Sequence, residues 1–227
     1  MRSVMCQGAS ATKWGLTTRA FLGLCLCHFH IEPTVAQVPE NNYFRAWVDM
    51  RDQGIVKQSL DYSCGPAALA TLLSYYFQIP TSEQEILNVL ESQSALWQLP
   101  ADWRETGVSM AALAKMGNYK GLEAVGVAIE LGMLSRLKIP AIAYLEHRGL
   151  PHFSVIRGVD GLGNIQLADP TWGNQLLSQR EFAKLWPVGE TGKGKLLLLR
   201  PKRNSKIAVD SSYFSISSRT PTLRNIN

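Results

Sequence analysis

The feature that most constrains the fold of this chain is a buried helix that begins at a cysteine. It lies in the segment QSLDYSCGPAALATLLSYYF, which runs from Gln58 to Phe77. Pro66 has a fixed φ and no amide hydrogen, which suits the first turn of a helix, and Leu69, Leu72 and Leu73 recur at helical spacing. Cys64 therefore lies at the amino end of the helix, where unpaired amides and the helix dipole stabilise an anion. A position of this kind is typical of nucleophilic cysteines.

Composition indicates one folded domain with an extension at each end. The chain has 227 residues, of which 46% are hydrophobic and 18% are charged, and this balance is typical of a globular domain. The net charge of +5 comes partly from Lys and Arg residues after Leu199. We find no basic face with interleaved aromatic residues on a known nucleic-acid-binding module, so no nucleic-acid partner is expected.

The amino-terminal segment has the pattern of a secretory signal peptide. Lys13 and Arg19 precede the apolar run AFLGLCLCHF at residues 20–29, and Thr-Val-Ala at 34–36 supplies small residues for cleavage. An uncleaved anchor is the alternative, but this apolar run is shorter than the roughly 20 residues that cross a bilayer. We therefore expect an exported protein, periplasmic or secreted, with cleavage near Ala36 and no membrane span afterwards.

Removal of that segment would leave a single cysteine. Cys6, Cys25 and Cys27 all lie within it, and only Cys64 lies beyond. Cys25-Leu-Cys27 lacks the second pair that a structural zinc site needs, and no metal or organic cofactor is expected. A lone thiol in an oxidising compartment cannot form an internal disulfide, and its presence indicates a chemical role.

The chain divides into four predicted parts. Residues 1–36 form the signal peptide, 37–52 an irregular or short extended amino-terminal arm, 53–200 the folded domain, and 201–227 a basic, disordered tail. Within the folded domain, helical patterns come first and β-prone runs follow, joined by short turns. This order predicts an α+β domain whose sequential strands pair mainly antiparallel.

Two histidines remain as candidate bases for Cys64 in the predicted mature chain. His152 opens a strong β-run, where a strand can hold it rigidly, whereas His147 lies in a turn that is more exposed to solvent. We therefore predict His152 as the base. Asp169 closes the β-run paired with that of His152, so it is predicted to orient the imidazole, although an Asp-Pro turn is an alternative role for it. Asp160 is better explained by turn chemistry.

Gln58 is the candidate for a second catalytic contribution. Its side-chain amide and the backbone amide of Cys64 could together form an oxyanion hole, in which loss of one donor typically costs about 3 kcal/mol in the transition state. A glutamine ahead of a helix is, on its own, more often a surface residue. Together with Cys64, His152 and Asp169, Gln58 is predicted to be an oxyanion donor.

Three separated motifs, taken in order, resemble a known enzyme family. QSLDYSCGPAALATLL, HFSVIRGVDG and LADPTWGN are similar to motifs in the peptidase domain of bacteriocin-processing, double-glycine leader cysteine peptidases. The resemblance covers roughly residues 53–200 and identifies this part as a cysteine peptidase domain. It implies a papain-like α+β fold with the cysteine helix packed on an antiparallel sheet. It also implies that Gln58, Cys64, His152 and Asp169 form a papain-like site that cuts after small residues such as glycine or alanine.

The chain departs from the best-known members of that family, which are fused to the membrane domain and ATPase of an exporter. The segment GETGKGKL at 189–196 is not a phosphate-binding loop, because Leu196 replaces the required Ser or Thr and a β-run follows. With a signal peptide and no later membrane span, the chain most resembles the stand-alone periplasmic peptidases of functional-amyloid secretion systems. This narrower resemblance implies a protein substrate from an export apparatus or an amyloid-related protein.

The leading functional hypothesis is an exported cysteine endopeptidase with a Cys-His-Asp triad. One alternative is a catalytically silent module that binds a leader or partner, against which the presence of all four site residues argues. Another alternative is acyl transfer or amide hydrolysis on cell-wall peptides. Triad chemistry is shared among these reactions, so the residues alone leave the last alternative open.

Overall fold

The computed structural model describes residues 42–214. The predicted signal peptide, residues 1–36, lies outside the described residues, as does the predicted cleavage position. Within residues 42–214, every helix is too short or too polar to cross a bilayer.

A six-stranded antiparallel sheet forms the frame of the domain. Its strands are β1 (Leu122–Ile129), β2 (Ala141–His147), β3 (Leu150–Val159), β4 (Ile165–Asp169), β5 (Gly173–Leu177) and β6 (Gly194–Pro201). Their order across the sheet is β1-β6-β2-β3-β4-β5, and every neighbouring pair is antiparallel. β2 to β5 follow one another as a meander, while β6 returns to lie between β1 and β2.

Most of the helices precede the sheet in the chain. The α-helices of the described residues are α1 (Asn42–Asp52), α2 (Cys64–Thr71), α3 (Glu83–Ser92), α4 (Ser94–Trp97), α5 (Trp103–Thr106), α6 (Met110–Tyr119), α7 (Gln179–Leu185) and α8 (Ser211–Phe214), of which only α7 and α8 come after β1. α2 continues as a π-helical turn at Leu72–Tyr76, and a 3₁₀ helix at Leu131–Arg136 precedes β2. The predicted α+β fold with an antiparallel sheet is confirmed.

Serine residues begin three of these helices. The hydroxyls of Ser82, Ser109 and Ser178 accept hydrogen bonds from backbone amides in the first turns of α3, α6 and α7. At α7 the cap is reciprocal, because Glu181 also accepts from the backbone amide of Ser178. These caps satisfy amides that a helix start leaves without a partner, and so they fix where each helix begins.

Two hydrophobic clusters lie on the two faces of the sheet. Successive residues of one strand divide between them: Val155 belongs to one cluster and Ile156 to the other, as expected when side chains alternate across a strand. The first cluster contains α2, α3 and α6, and the second contains α7. The first cluster holds the cysteine helix, α2, against β3.

Close packing of α2 on the sheet depends on Gly65. A Cβ atom at this position would lie 3.1 Å from a side-chain atom of Leu113 and 3.2 Å from one of Phe153. Every residue of α2 is buried. The helix start that carries Cys64 is therefore held tightly between α6 and β3.

The amino-terminal arm differs from the prediction of irregular or extended structure for residues 37–52. Residues 42–52 of this arm form α1. The carboxy-terminal end of α1 is tied to the sheet by Asn174 of β5, whose Nδ2 donates to the carbonyls of Arg51 and Gln53, at 2.9 Å each. These contacts come from a strand more than 120 residues away, which is why local sequence did not indicate them.

The described part of the tail also differs from the prediction of disorder for residues 201–227. Residues 202–214 pack back onto the domain, and Tyr213 of α8 is only 5% exposed. Its hydroxyl donates to the carbonyl of Gly54 at 3.1 Å, and the guanidinium of Arg157 lies 4.3 Å from the centre of its ring. Tyr213, with Ile207 and Phe214 packed against the same hydrophobic cluster, thus anchors this segment.

Candidate active site

Cys64 is the first residue of α2 and the one cysteine among the described residues. The preceding Ser63 does not cap the helix, because its hydroxyl donates instead to the carbonyl of Leu60 at 2.7 Å. The first amides of α2 therefore lack a side-chain acceptor, and this end of the helix favours an anion. Cys64 is 8% exposed, so the thiol lies at the edge of the core rather than deep within it.

His152 and Asp169 meet on neighbouring strands. Nε2 of His152, on β3, lies 2.8 Å from Oδ2 of Asp169, at the end of β4, and both side chains are buried. Cys64 lies near enough to His152 to raise the pKa of its imidazole. Because Nε2 is engaged by Asp169, Nδ1 is the ring nitrogen left for the thiol. The three residues form a continuous row from nucleophile to carboxylate.

The electrostatics of this row favour a protonated imidazole. Burial acts to lower the pKa of His152, but the hydrogen bond to Asp169, the nearby Cys64 and the charge of Asp169 outweigh burial and raise it to about 9. At neutral pH the ring is then mainly imidazolium. In that form it can hold a thiolate beside it and later give a proton to a leaving group.

Asp169 makes the contacts that both of the roles left open by the sequence require. Its Oδ2 faces His152, while its Oδ1 accepts from the backbone amides of Thr171 at 2.8 Å and Trp172 at 3.0 Å. The turn after β4 therefore fixes the carboxylate, and the carboxylate fixes the imidazole. A turn residue and an orienting residue are here the same side chain.

Gln58 lies against this turn. Its backbone amide donates to the carbonyl of Pro170 at 3.1 Å, and its Oε1 accepts from the hydroxyl of Thr171 at 2.7 Å. Its Nε2 donates to the carbonyl of Leu60 at 3.0 Å, in the loop that leads to Cys64. The structure thus connects all four predicted site residues through hydrogen bonds and short chain segments.

Trp172 is a site residue that the sequence analysis did not single out. The centre of its ring system lies 5.0 Å from that of His152 and 4.8 Å from that of His147. His147, the other candidate base, thus packs on Trp172, while His152 is the histidine bonded to Asp169. The motif LADPTWGN contained the signal, since an aromatic residue just after an orienting aspartate can cover the histidine.

Three cavities surround the row. Two of them, of about 380 and 520 Å³, are both lined by Cys64, Thr106, Gly107 and Pro151, so they meet beside the thiol. Both are lined mainly by apolar surface, and the second also has Asp61, Arg104 and Glu105 in its lining. The third, of about 320 Å³, opens on the side of His152 and Asp169 and is lined in part by Trp172. A chain crossing the thiol would have space on both sides of it.

Asp160, the other aspartate considered for the site, has a structural role in a turn. Oδ1 of Asp160 accepts from the backbone amides of Leu162 at 2.9 Å and Asn164 at 2.8 Å, the turn role expected from the sequence. Within residues 42–214, His, Cys, Asp and Glu form no group of three or more that could hold a metal ion.

A thiol at a helix start, an imidazole beside it and a buried carboxylate behind the imidazole define a cysteine peptidase of the papain-like class, carried on a helix packed against an antiparallel sheet. The model of the Peptidase C39 family matches residues 52–204, and the chain belongs to this family. The predicted family and the predicted enzyme class are both confirmed.

Similar proteins include curated relatives and a solved structure. The chain is 35% identical over 138 residues to the "probable functional amyloid protease FapD" of Pseudomonas aeruginosa, a match of 61% of this chain and 59% of that protein. The chain therefore spans about three fifths of the length of this relative. An uncharacterised protein of Methanothermobacter marburgensis is 36% identical over 135 residues, which cover 60% of this chain and 84% of that protein.

The solved peptidase domain of Streptococcus ComA, a bifunctional ABC transporter, has the same fold. It aligns with a TM-score of 0.51 and 17% identity over 65% of this chain and 98% of that domain. At this identity the likeness shows the fold alone.

Proposed function

We propose that this protein is an exported cysteine endopeptidase that cuts a secreted or export-related protein after small residues. The observation that carries the proposal is the row in which His152 is hydrogen-bonded to Asp169 and interacts with Cys64, with Gln58 bonded to Thr171 in the turn after Asp169. Each group has the partner that its role in peptide hydrolysis requires.

In the first half of the reaction, the thiolate of Cys64 attacks the carbonyl carbon of the peptide bond. The negative charge that develops on the carbonyl oxygen is bound by Nε2 of Gln58 and the backbone amide of Cys64. His152 then gives its Nδ1 proton to the leaving amine, the C–N bond breaks, and a thioester to Cys64 remains. Asp169 keeps the imidazole oriented throughout.

The second half restores the enzyme. Neutral His152 takes a proton from a water molecule, and the resulting hydroxide attacks the thioester carbonyl. The same two donors bind the second oxyanion, the C–S bond breaks, and the product leaves as a carboxylic acid that loses its proton to solvent. The thiolate and the imidazolium are then both regenerated, so the cycle consumes only water and one peptide bond.

Two features support a preference for small residues before the cut. The two cavities beside the thiol meet where Thr106, Gly107 and Pro151 line both of them. Gly107 has a φ of +85°, which other residues rarely adopt, and it presents backbone without a side chain to the cleft. A substrate strand with glycine or alanine at this point can lie close against that backbone.

The relative from P. aeruginosa supports a protein substrate linked to export. That protein is named a probable functional amyloid protease. A signal peptide over residues 1–36 would place this enzyme in the same compartment as exported proteins. We therefore propose that its substrate is a component of an export apparatus or an amyloid-related protein.

The substrate class is tested by incubating residues 37–227 with a proteome-derived peptide library and identifying the cut bonds by mass spectrometry. We expect cuts after glycine or alanine, and none with Cys64→Ala. Cleavage of isolated cell-wall stem peptides, with the protein-derived library left intact, would contradict the proposed substrate and favour the cell-wall alternative.

Export is tested separately, in a Gram-negative host. We expect the protein to be recovered from the periplasmic or secreted fraction with Gln37 as its first residue. Recovery in the cytoplasmic fraction with residues 1–36 still attached would contradict export while leaving the peptidase chemistry untouched.

A further inference from the structure

Thr171 contacts two members of the site, and the mechanism above gives its side chain no role. Its hydroxyl donates to Oε1 of Gln58 at 2.7 Å, and its backbone amide donates to Oδ1 of Asp169 at 2.8 Å. We propose that the hydroxyl of Thr171 is a positioning group that orients the Gln58 amide toward the oxyanion. This inference rests on the proposed role of Gln58 as an oxyanion donor.

The hydrogen bonds of the Gln58 amide decide which of its ends faces which partner. A carbonyl oxygen can only accept, so the carbonyl of Leu60 must face Nε2, at 3.0 Å. Oε1 then faces Thr171, whose hydroxyl can donate or accept and here has to donate. The hydroxyl therefore selects one of the two amide orientations and stabilises it.

One amide hydrogen remains available in this orientation. Nε2 carries two hydrogens, and the carbonyl of Leu60 takes one of them. The second is free to donate to a developing oxyanion. Oxyanion stabilisation requires a donor already placed at about 2.7–3.1 Å from the charge. Without the bond from Thr171, the amide would rotate, and only some molecules would present the donor correctly.

Neighbouring contacts hold Thr171 itself in place. Nζ of Lys57 donates to the carbonyl of Thr171 at 2.7 Å, and the backbone amide of Gln58 donates to the carbonyl of Pro170 at 3.1 Å. The segment before the cysteine helix is therefore tied to the turn after β4 on both sides of the Thr171–Gln58 bond. This is where the halves of the site, distant in sequence, are joined.

The side chain of Thr171 contributes little to the core, because the residue is exposed. Replacing its hydroxyl with a methyl group keeps the shape of the side chain and leaves the backbone bond to Asp169 available. The effect of that change therefore reports on orientation of Gln58 rather than on folding.

The test compares Thr171→Val, Thr171→Ser, Gln58→Ala and the double variant, with Thr191→Val as the matched control on an exposed threonine in the turn before β6. Two quantities are measured: kcat and KM on one peptide identified from the library, and the rate of alkylation of Cys64 by iodoacetamide. Alkylation forms no oxyanion, so it reports on the thiol and His152 but not on Gln58.

We expect Thr171→Val to lower kcat about tenfold, the equivalent of one hydrogen bond, with KM little changed. Thr171→Ser keeps the hydroxyl and is expected to recover most of the loss. Gln58→Ala is expected to lower kcat about 100-fold, and the double variant to match Gln58→Ala, because Thr171 acts only through that amide. The alkylation rate is expected to stay within about twofold in all of them, since the thiol and its histidine are unchanged.

Several results would overturn the proposal. If Thr171→Val kept full activity while Gln58→Ala lost most of its kcat, the proposed role of Thr171 would be wrong. The oxyanion role of Gln58 would still stand. If the kcat losses of the two single variants multiplied in the double variant, the hydroxyl of Thr171 would act independently of Gln58. The same would follow if Thr171→Val lowered the alkylation rate of Cys64 as much as it lowered kcat. Full activity of Gln58→Ala would instead overturn the proposed role of Gln58 and, with it, that of Thr171.

Discussion

The position of His152 beside Cys64 predicts the pH range in which the thiol reacts. The raised pKa of His152, about 9, keeps an imidazolium beside the sulfur over most of the accessible pH range. We expect iodoacetamide to alkylate the wild-type protein rapidly at pH 6, well below the value of about 8.5 at which a free cysteine ionises. His152→Ala should move the alkylation profile upward toward that of an ordinary thiol.

The control for this measurement is His147→Ala, because His147 packs on Trp172 while the hydrogen bond to Asp169 is made by His152. Its alkylation profile should stay close to the wild-type profile. An ordinary thiol profile in the wild-type protein, unaffected by His152→Ala, would contradict the catalytic pair in this state of the enzyme.

Asp169 should be needed for turnover more than for folding of the turn. Asp169→Asn keeps an oxygen that can accept from the amides of Thr171 and Trp172 but removes the charge that helps to raise the pKa of His152. We expect kcat to fall by a factor of about 10²–10⁴. The alkylation profile should also shift to higher pH, since the imidazolium that stabilises the thiolate is then less favoured.

Asp160→Asn is the matched control, because Asp160 accepts only from the turn between β3 and β4. Its kcat should remain near that of the wild-type protein. Equal losses in the two variants would mean that Asp169 contributes as a turn residue and not as the orienting carboxylate.

At the level of elements, residues 202–214 are part of the folded domain. Tyr213 stacks near Tyr75, lies under the guanidinium of Arg157 and donates to the carbonyl of Gly54. We expect Tyr213→Ala to lower the free energy of unfolding by about 3 kcal/mol, and Tyr213→Phe by about 1 kcal/mol, in urea denaturation. Tyr119→Ala, at a 58% exposed tyrosine, should cost less than about 1 kcal/mol.

This anchoring decides how the tail can be tested for binding to a partner. A truncation after Arg200 would remove Tyr213 and would lower stability as well as any partner contact. A truncation after Phe214 leaves the packed segment intact. Similar losses of stability in Tyr213→Ala and Tyr119→Ala would show that the segment does not hold the domain together.

The elements that the sequence indicated are those with a local signal. The cysteine helix and the β-prone runs that became β1 to β4 and β6 all have such a signal, and the pairing of these runs as an antiparallel sheet follows from their order in the chain. β5 was missed because GNQLL is short and largely polar, and α1 because distant residues such as Asn174 tie it to the sheet. The return of β6 between β1 and β2 is equally invisible locally, since it depends on pairing across the whole domain.

The candidate site likewise has residues that the sequence predicted and residues that it did not. The residue types of Cys64, His152 and Asp169, with their places on a helix start and two paired strands, were enough to predict that they would meet. Thr171 and Trp172 were not predicted, although they lie in a motif that had been noticed. Their importance comes from contacts with Gln58 and His152, and nothing in the sequence specifies which way a turn presents its side chains.

For the whole molecule, the site exists only when both halves of the domain are folded together. Cys64 and Gln58 come from the helical half, and His152 and Asp169 come from the sheet. The bond from Thr171 to Gln58 and the row from Cys64 to Asp169 both cross between these halves. Global unfolding therefore breaks the row, and the protonation of His152 becomes linked to the stability of the entire domain.

This linkage has a definite sign. The pKa of His152 is about 9 in the folded protein and about 6.5 in an unfolded chain. A pKa that folding raises stabilises the folded state fully below the unfolded value, and this contribution is lost as the pH rises toward the folded value. The contribution from His152 should thus be complete below about pH 6.5 and should disappear by about pH 9, with a size of roughly 3 kcal/mol.

The measurement is the free energy of unfolding from urea denaturation between pH 6 and pH 10, for the wild-type protein and for Asp169→Asn. Because other groups also titrate in this range, the difference between the two proteins at each pH isolates the part that depends on the His152–Asp169 pair. The wild-type advantage should be largest near pH 6 and should shrink toward pH 9, as the imidazolium that Asp169 stabilises is lost. A difference that stays constant, or that grows with pH, would mean that the imidazole of His152 is uncharged in the folded protein. The thiol would then have no imidazolium beside it.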